Sequence, residues 1–346
     1  MNKQYILIIL LFVAGCKQIY DPTVDSNNGS IVINAVLTNN AETSKVTISK
    51  TTPYNPNSKQ QFVSGAEVKI YDNVGLVYNL SETLTGVYTN PKLKAESGKT
   101  YYLEVISPEG DVYRSEAQSL PQKVTVDSAF GEIYTKKLTL QDLSGKYFQT
   151  DKEVVETYLD LRNNLPEVPK CRFEFKVTIV YEELKAAHSV LLWRTIKLPP
   201  DITTSTYELN TNKIKKHPLC YLYTDIYEYA IDSTAEKKTE FARICYILLV
   251  DKYDLNATVH QYYKDIKQQS EYTGKIFDPA PSQVKGNITC VNNPEKMAFG
   301  MFEVSNQEKL ILKCQTYIND VTIIRKDSLK NYTESGMSEY TPDFIK

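Results

Sequence analysis

The residue with the clearest chemistry is Cys16. It closes the run Val13-Ala14-Gly15-Cys16, which follows an apolar stretch from Ile6 to Val13 and the cation Lys3. A positive start, an apolar stretch, small residues and then a cysteine form a bacterial export signal ending at a lipid-attachment site. The expected chemistry is diacylation of the Cys16 thiol and cleavage of the peptide bond before it. Residues 1–15 would then be a leader, and 16–29, polar with Pro22, Asn27, Asn28 and Gly29, a flexible tether. Two or three acyl chains anchor a protein stably where one does so only marginally. The apolar run falls far short of the ~20 residues that span a bilayer. Lys17, not an aspartate, follows the cysteine, which permits sorting to the outer membrane.

Other reactive residue types do not assemble into a recognisable set. The histidines His188, His217 and His260 are scattered, with no H-E-x-x-H or H-x-H spacing, and read as surface or helix-face residues. Glu182 and Glu183 are adjacent, so on a strand they face opposite ways and cannot act as a glycosidase pair. No nucleophile elbow, phosphate loop or dinucleotide fingerprint occurs. Asp72-Asn73 and Asn292-Asn293 lack the acidic pattern of a calcium loop and read as turns. The sequence therefore points to no catalytic residue, no metal and no cofactor. Five cysteines follow Cys16, none with C-x-x-C spacing. Buried thiols and disulfides stand as equal readings, and Cys290 with Cys314 is the preferred pair if a bond forms.

Binding chemistry has a stronger signal. Tyrosine is abundant, 26 residues, whereas Trp193 stands alone. Tyr offers a large contact area at low entropic cost. If residues 221–229 form one strand, Tyr221, Tyr223, Tyr227 and Tyr229 share a face. These four and Trp193 are the candidate ligand- or partner-binding residues. A net charge of −2, with no basic block, gives no reason to expect nucleic acid.

The elements that must position these residues are mainly β. The 346-residue chain suits two domains at about 150 residues each. Short alternating segments recur from Ser30 to Pro121, separated by turns such as Asp72-Asn73-Val74-Gly75 and Pro108-Glu109-Gly110-Asp111. That rhythm predicts a β-sandwich over 30–121. From 122 to 346 the pattern predicts a second β-rich, sandwich-like domain with one or two docked helices. Its strand candidates include Lys170 to Val180, Tyr221 to Ala230, Glu240 to Asp251, Gly300 to Val304 and Leu310 to Cys314. One helix is expected from near Thr258 to Glu271, capped through Gln261, with Val259, Tyr262, Tyr263 and Ile266 on the docked face.

The order Gly65-Ala66-Glu67-Val68, Gly86-Val87-Tyr88, Gly98-Lys99-Thr100-Tyr101 and Gly110-Asp111-Val112-Tyr113 resembles immunoglobulin-like or prealbumin-like modules of bacterial surface proteins. Nearly the whole chain resembles a Bacteroidota lipoprotein family catalogued as domain of unknown function 4249. The resemblance is carried by the lipid-attachment run, Thr52-Pro53-Tyr54, Trp193-Arg194, Phe277-Asp278-Pro279-Ala280-Pro281, Gly286-Asn287-Ile288, Gly300-Met301-Phe302 and Pro342-Asp343-Phe344. It implies a surface-facing outer-membrane lipoprotein, and the missing catalytic sets make the expected role non-enzymatic. It also implies a TonB-dependent transporter-like barrel as partner; the alternative expectation is a structural or assembly place in a larger outer-membrane complex. The lysine-containing segment 326–340 departs from the family in having no cysteine.

Overall fold

The structure, a computed structural model, describes residues 29–52, 59–141, 145–184, 189–203, 212–224, 227–231, 238–271, 284–315, 320–324 and 335–338. Cys16 with its leader, His188, the Phe277–Pro281 run and the Pro342 tail lie outside the described residues.

Alternation builds the first sandwich. In β1 (Ile31–Thr38), Ile31, Ile33, Ala35 and Leu37 turn inwards, as do Val46 and Ile48 in β2 (Lys45–Lys50). These two strands are antiparallel, and β3 (Gln61–Phe62) and β6 (Val87–Thr89) continue the sheet beyond β2. The facing sheet contains β4 (Glu67–Asp72), β7 (Thr100–Ile106) and β8 (Val112–Ser115), with β9 (Gln118–Ser119) beside the start of β7. Strand β5 (Leu76–Leu84) belongs to both sheets, pairing first with β4 and then with β6. Val68, Ile70, Leu103 and Val105 meet the β1 and β2 side chains in one core. The turn at Asp72 is held as its sequence suggests: the Asp72 carboxylate accepts from the Val74 and Gly75 amides at 2.8 and 3.1 Å.

The sandwich is completed by residues far beyond Pro121. After β10 to β16, described below, β17 (Ile288–Cys290) pairs with β8. Residues Ala298–Ser305 of β18 (Ala298–Gln315) then lie parallel to β1. The backbones approach closely here. A Cβ on Gly286 would meet the Gly300 carbonyl oxygen at 1.5 Å, and one on Gly300 would meet the Ile33 carbonyl oxygen at 2.1 Å. The buried amide of Asn287 bonds both backbone groups of Phe302, accepting from its N–H at 2.8 Å and donating to its carbonyl at 2.9 Å. It satisfies polar groups that no neighbouring strand reaches. Asn292 works similarly, accepting from the Val112 amide and donating to the Gly110 carbonyl.

Past Ser305, β18 leaves β1 and runs antiparallel to β16 (Lys238–Asp254). One strand thus enters two cores: Phe302 and Val304 belong to the first, Leu310 and Leu312 to the second. The sequence suggested two separate strands because Ser305-Asn306-Gln307-Glu308-Lys309 reads as a polar break. Ser305 and Gln307 are instead buried: Ser305 donates to Glu303 of the same strand, and Gln307 bonds Thr43 on one side and Asp251 on the other.

The second part has two sheets. The larger contains β12 (Cys171–Leu184), β13 (Ser189–Ile202), β16, the distal half of β18 and β19 (Asp320–Ile324), with β20 (Ser335–Ser338) on β13 and β15 (Tyr227–Ile231) on β16. The smaller contains β10 (Thr125–Gln141), β11 (Tyr147–Arg162) and β14 (Lys213–Tyr223). Val155, Leu159 and Leu161 pack against Phe173, Phe175, Leu248 and Val250 between them. The fold is mainly β, as expected. The helix α1 (Ala257–Glu271) begins one residue before its predicted start. Its cap is Asn256, whose side-chain oxygen accepts from the Val259 amide at 3.0 Å, while Gln261 bonds Asp265 instead. Val259, Tyr262 and Tyr263 pack with Met301, Tyr253 and Ile202. Ile266, expected on that face, is exposed.

A polar seam lies where β18 changes partners. Glu303, fully buried, takes both Nε (2.9 Å) and Nη2 (3.0 Å) of Arg172, the Tyr263 hydroxyl (2.7 Å) and the Ser305 hydroxyl (2.6 Å). Arg172 also stacks on the Tyr253 ring at 3.7 Å. Beside it, buried Lys252 donates to Asp254 (2.6 Å) and to the Val124 carbonyl (2.7 Å). Burial works against that ammonium charge, but Asp254, Cys171 and Glu308 together offset it and hold the Lys252 pKa above its usual value.

Cys290 and Cys314 are not bonded to one another: the first lies in the sandwich core and the second in the core of the second part. The expected pairing fails because short strands near in sequence belong to different layers. Both thiols serve as small apolar packing groups.

Candidate functional site

Two irregularities in β14 shape the site. Its pairing with β11 shifts once between His217 and Ile214 and again between Tyr221 and Pro218. Each β-bulge inserts a residue and changes the phase of alternation. Ile214, His217, Leu219 and Leu222 consequently all turn inwards, at spacings of three, two and three. At the first bulge Lys216 adopts a left-handed φ of 55°. The Asp160 carboxylate accepts its amide at 2.9 Å, and Glu132 holds its ammonium at 2.6 Å.

Beyond the second bulge, β14 stands away from the larger sheet and leaves a cleft of about 630 Å³. That size suits a small organic ligand. Its floor comes from alternate residues of β12, Phe175, Val177 and Ile179, and of β13, Leu198, Ile196 and Arg194. Leu219, Leu222, Tyr221 and Tyr223 of β14 form the roof and lip. The two tyrosine rings meet edge to face at 6.1 Å, and Lys136 lies 4.1 Å from the centre of the Tyr221 ring. The Tyr246 hydroxyl donates to the Tyr223 carbonyl at 3.1 Å and ties the lip to β16.

The structure brings only part of the expected stripe together. Tyr221 and Tyr223 share the cleft, but the strand ends at Tyr223 and Tyr227 and Tyr229 belong to β15, which pairs with β16. The four tyrosines therefore do not form one face. Trp193 is buried with Val180, Cys245, Ile247 and Ile311, on the side of β13 opposite Arg194. It is a packing residue of the sheet, not part of the cleft. Arg194 and the floor residues were missed as site residues. Their signal was the alternation in 173–179 and 194–198, which marks a shared face without saying what lies opposite.

The histidines have local roles. His217, expected at a surface, is buried, stacked on Phe173 at 5.0 Å and 3.5 Å from Asp201, which Lys267 of the helix also holds at 2.6 Å. Burial lowers its pKa to about 4, opposed by Asp201 and reinforced by Lys267. The His260 Nε2 lies 2.7 Å from the Thr203 carbonyl oxygen. Cys220 lines the cleft, and burial pushes its thiol up to about 11, so it is protonated at neutral pH. Among the described residues no three His, Cys, Asp or Glu side chains are placed to hold a metal.

The arrangement is that of a two-part β protein with an aromatic-lipped cleft between the sheets of its second part. The family model for a domain of unknown function, DUF4249, matches residues 17–311, and the chain belongs to that family. No curated protein and no solved structure matches it.

Proposed function

We propose that the protein works by binding rather than by catalysis, as a lipid-anchored outer-membrane lipoprotein that serves a TonB-dependent transporter-like barrel as its accessory subunit. The observation that carries this reading is the cleft. It combines an apolar floor, a tyrosine lip and a protonated thiol, the features of a site that holds a ligand. The Val13-Ala14-Gly15-Cys16 run supports attachment through acylated Cys16, and the family resemblance supports a surface-facing position. The family match, residues 17–311, begins directly after Cys16. Among the described residues no helix is long and apolar enough to cross a membrane, so the anchor in this reading is the lipid.

A tag on the C-terminus, gentle solubilisation of native outer membranes and identification of what copurifies test the reading. A stoichiometric TonB-dependent barrel is the expected result. Recovery of the chain alone would overturn the accessory role. Recovery with several unrelated barrels would favour the second reading, a structural component of a larger complex. That alternative is supported by Tyr147 and Phe148, which stand exposed at the start of β11, next to the β10–β11 turn.

A further inference from the structure

We infer that the cleft takes an elongated amphiphile, an apolar chain with an anionic head, the chain lying along β12 and β13 and the head meeting Arg194. The inference rests on the reading of the cleft as a binding site and names its ligand class.

The floor changes character along its length. Cross-strand pairs on this face are Phe175 with Leu198, then Val177 with Ile196, then Ile179 with Arg194. Strand β16 adds Tyr246 opposite Ile179. Leu219 and Leu222 add further apolar roof, while Tyr181, Tyr221 and Tyr223 add hydroxyl-bearing rings. From Leu198 to Arg194 strand β13 rises roughly 13 Å past exposed Ile196, room for a medium acyl chain laid along it.

The charges decide the head. Three charged side chains line the cleft: Glu156, Arg194 and Asp201. Glu156 accepts the Tyr158 hydroxyl at 2.6 Å and has Lys136 at 4.0 Å. Asp201 is held by Lys267 at 2.6 Å. Arg194 is exposed and has no ion-pair partner among the described residues. The charge left for a ligand is therefore positive. A guanidinium beside an apolar floor binds a carboxylate or phosphate head in bidentate fashion. A sugar would leave the exposed Ile196 and half-buried Leu198 surface without an apolar partner.

Equilibrium dialysis tests this with radiolabelled decanoate and decanol against the full chain in lipid nanodiscs, with empty nanodiscs as the blank. Expected is saturable binding, with decanoate tighter than decanol by about tenfold. Arg194→Gln should remove that preference and leave decanol unchanged. Ile196→Asp, at an exposed floor position, should abolish both while circular dichroism stays native. Equal binding of decanoate and decanol, insensitive to Arg194→Gln, would overturn the anionic head. Absence of saturable binding by either would overturn the ligand class. Failure of the accessory reading shows separately, as a tagged chain that brings down no barrel, and leaves the dialysis result standing.

Discussion

The sandwich and the two-sheet part beyond it bury their apolar strands to different degrees. In the sandwich, two sheets of short strands close on a single continuous core, and two late segments, β17 and the start of β18, close the gaps that β8 and β1 leave. In the second part the buried residues divide into three clusters, and the face formed by β12 and β13 is only partly covered by β14. The bulges of β14 make the difference. They keep Leu219 and Leu222 facing in while Tyr221 and Tyr223 are carried to the rim. A fully paired β14 with no phase change would put alternate residues inside, and Leu219 and Leu222 could not both be buried. One region is therefore filled for stability, and the other keeps an apolar surface open at a cost in stability. This is the pattern expected where binding depends on the open surface.

The seam sets the largest expected effect. Glu303→Ala would leave the Arg172 guanidinium buried without its bidentate partner, and such losses cost about 3–5 kcal/mol. Urea titration should show a loss of that size. A loss below about 1 kcal/mol would mean that the Glu303–Arg172 contact does not help hold the seam together.

The contrast between a filled and an open region can be measured directly. Leu37 is fully buried in the sandwich, whereas Ile196 on the cleft floor is 38% exposed. Leu37→Ala should cost about 2–5 kcal/mol and Ile196→Ala less than about 1 kcal/mol. Similar losses at both sites would show that the cleft floor is packed like a core.

His217 links the two sheets of the second part, and its titration reports on their closure. Its folded pKa of about 4 lies below the ordinary 6.5. Above pH 6.5 the group is neutral in both states and contributes no pH dependence. As pH falls below 6.5 the unfolded chain takes up a proton that the folded chain refuses. Stability therefore drops until about pH 4, by a total on the order of 3 kcal/mol. In His217→Gln that fall should be absent, so the difference between variant and wild type should be constant above pH 7 and change only below 6.5. A difference constant across the whole range would mean that His217 is open to solvent.

The smallest expected effect lies at the helix start. Asn256→Ala removes the bond to the Val259 amide and should cost about 1 kcal/mol. Gln261→Ala, by contrast, should change stability by less than about 0.5 kcal/mol, because Gln261 is exposed and its bond to Asp265 is a solvent-exposed i,i+4 contact.

Much of the sandwich was legible in the sequence because its strands alternate cleanly and its turns carry Gly, Pro, Asn and Asp. The first of the alternating segments expected from Ser30 onwards is β1, Ile31–Thr38. Alternation tells which side is buried but not which strand lies alongside, so the parallel pairing of Ile31 with Ala298 could not be read. The same limit hid the cleft: Tyr221 and Tyr223 were found from their spacing, but Phe175, Ile196 and Arg194 reach them only through the tertiary fold. Continuing the period-two count to Tyr227 and Tyr229 failed because nothing in the count marks the end of β14 at Tyr223. Trp193 was misread for another reason. A lone large aromatic suits a binding surface and a packed sheet equally, and its immediate neighbour Arg194 is the one that faces the cleft.

Hydrogen exchange, followed by mass spectrometry on native outer-membrane vesicles and on the purified full chain, tests the central claim most directly. The account predicts that amides of β14 and of the 194–198 segment of β13 exchange more slowly in the vesicles, where ligand and partner are present. The amides of β1, β4 and β7 should exchange equally in both preparations. Protection confined to the sandwich strands, with the cleft segments unchanged, would contradict it.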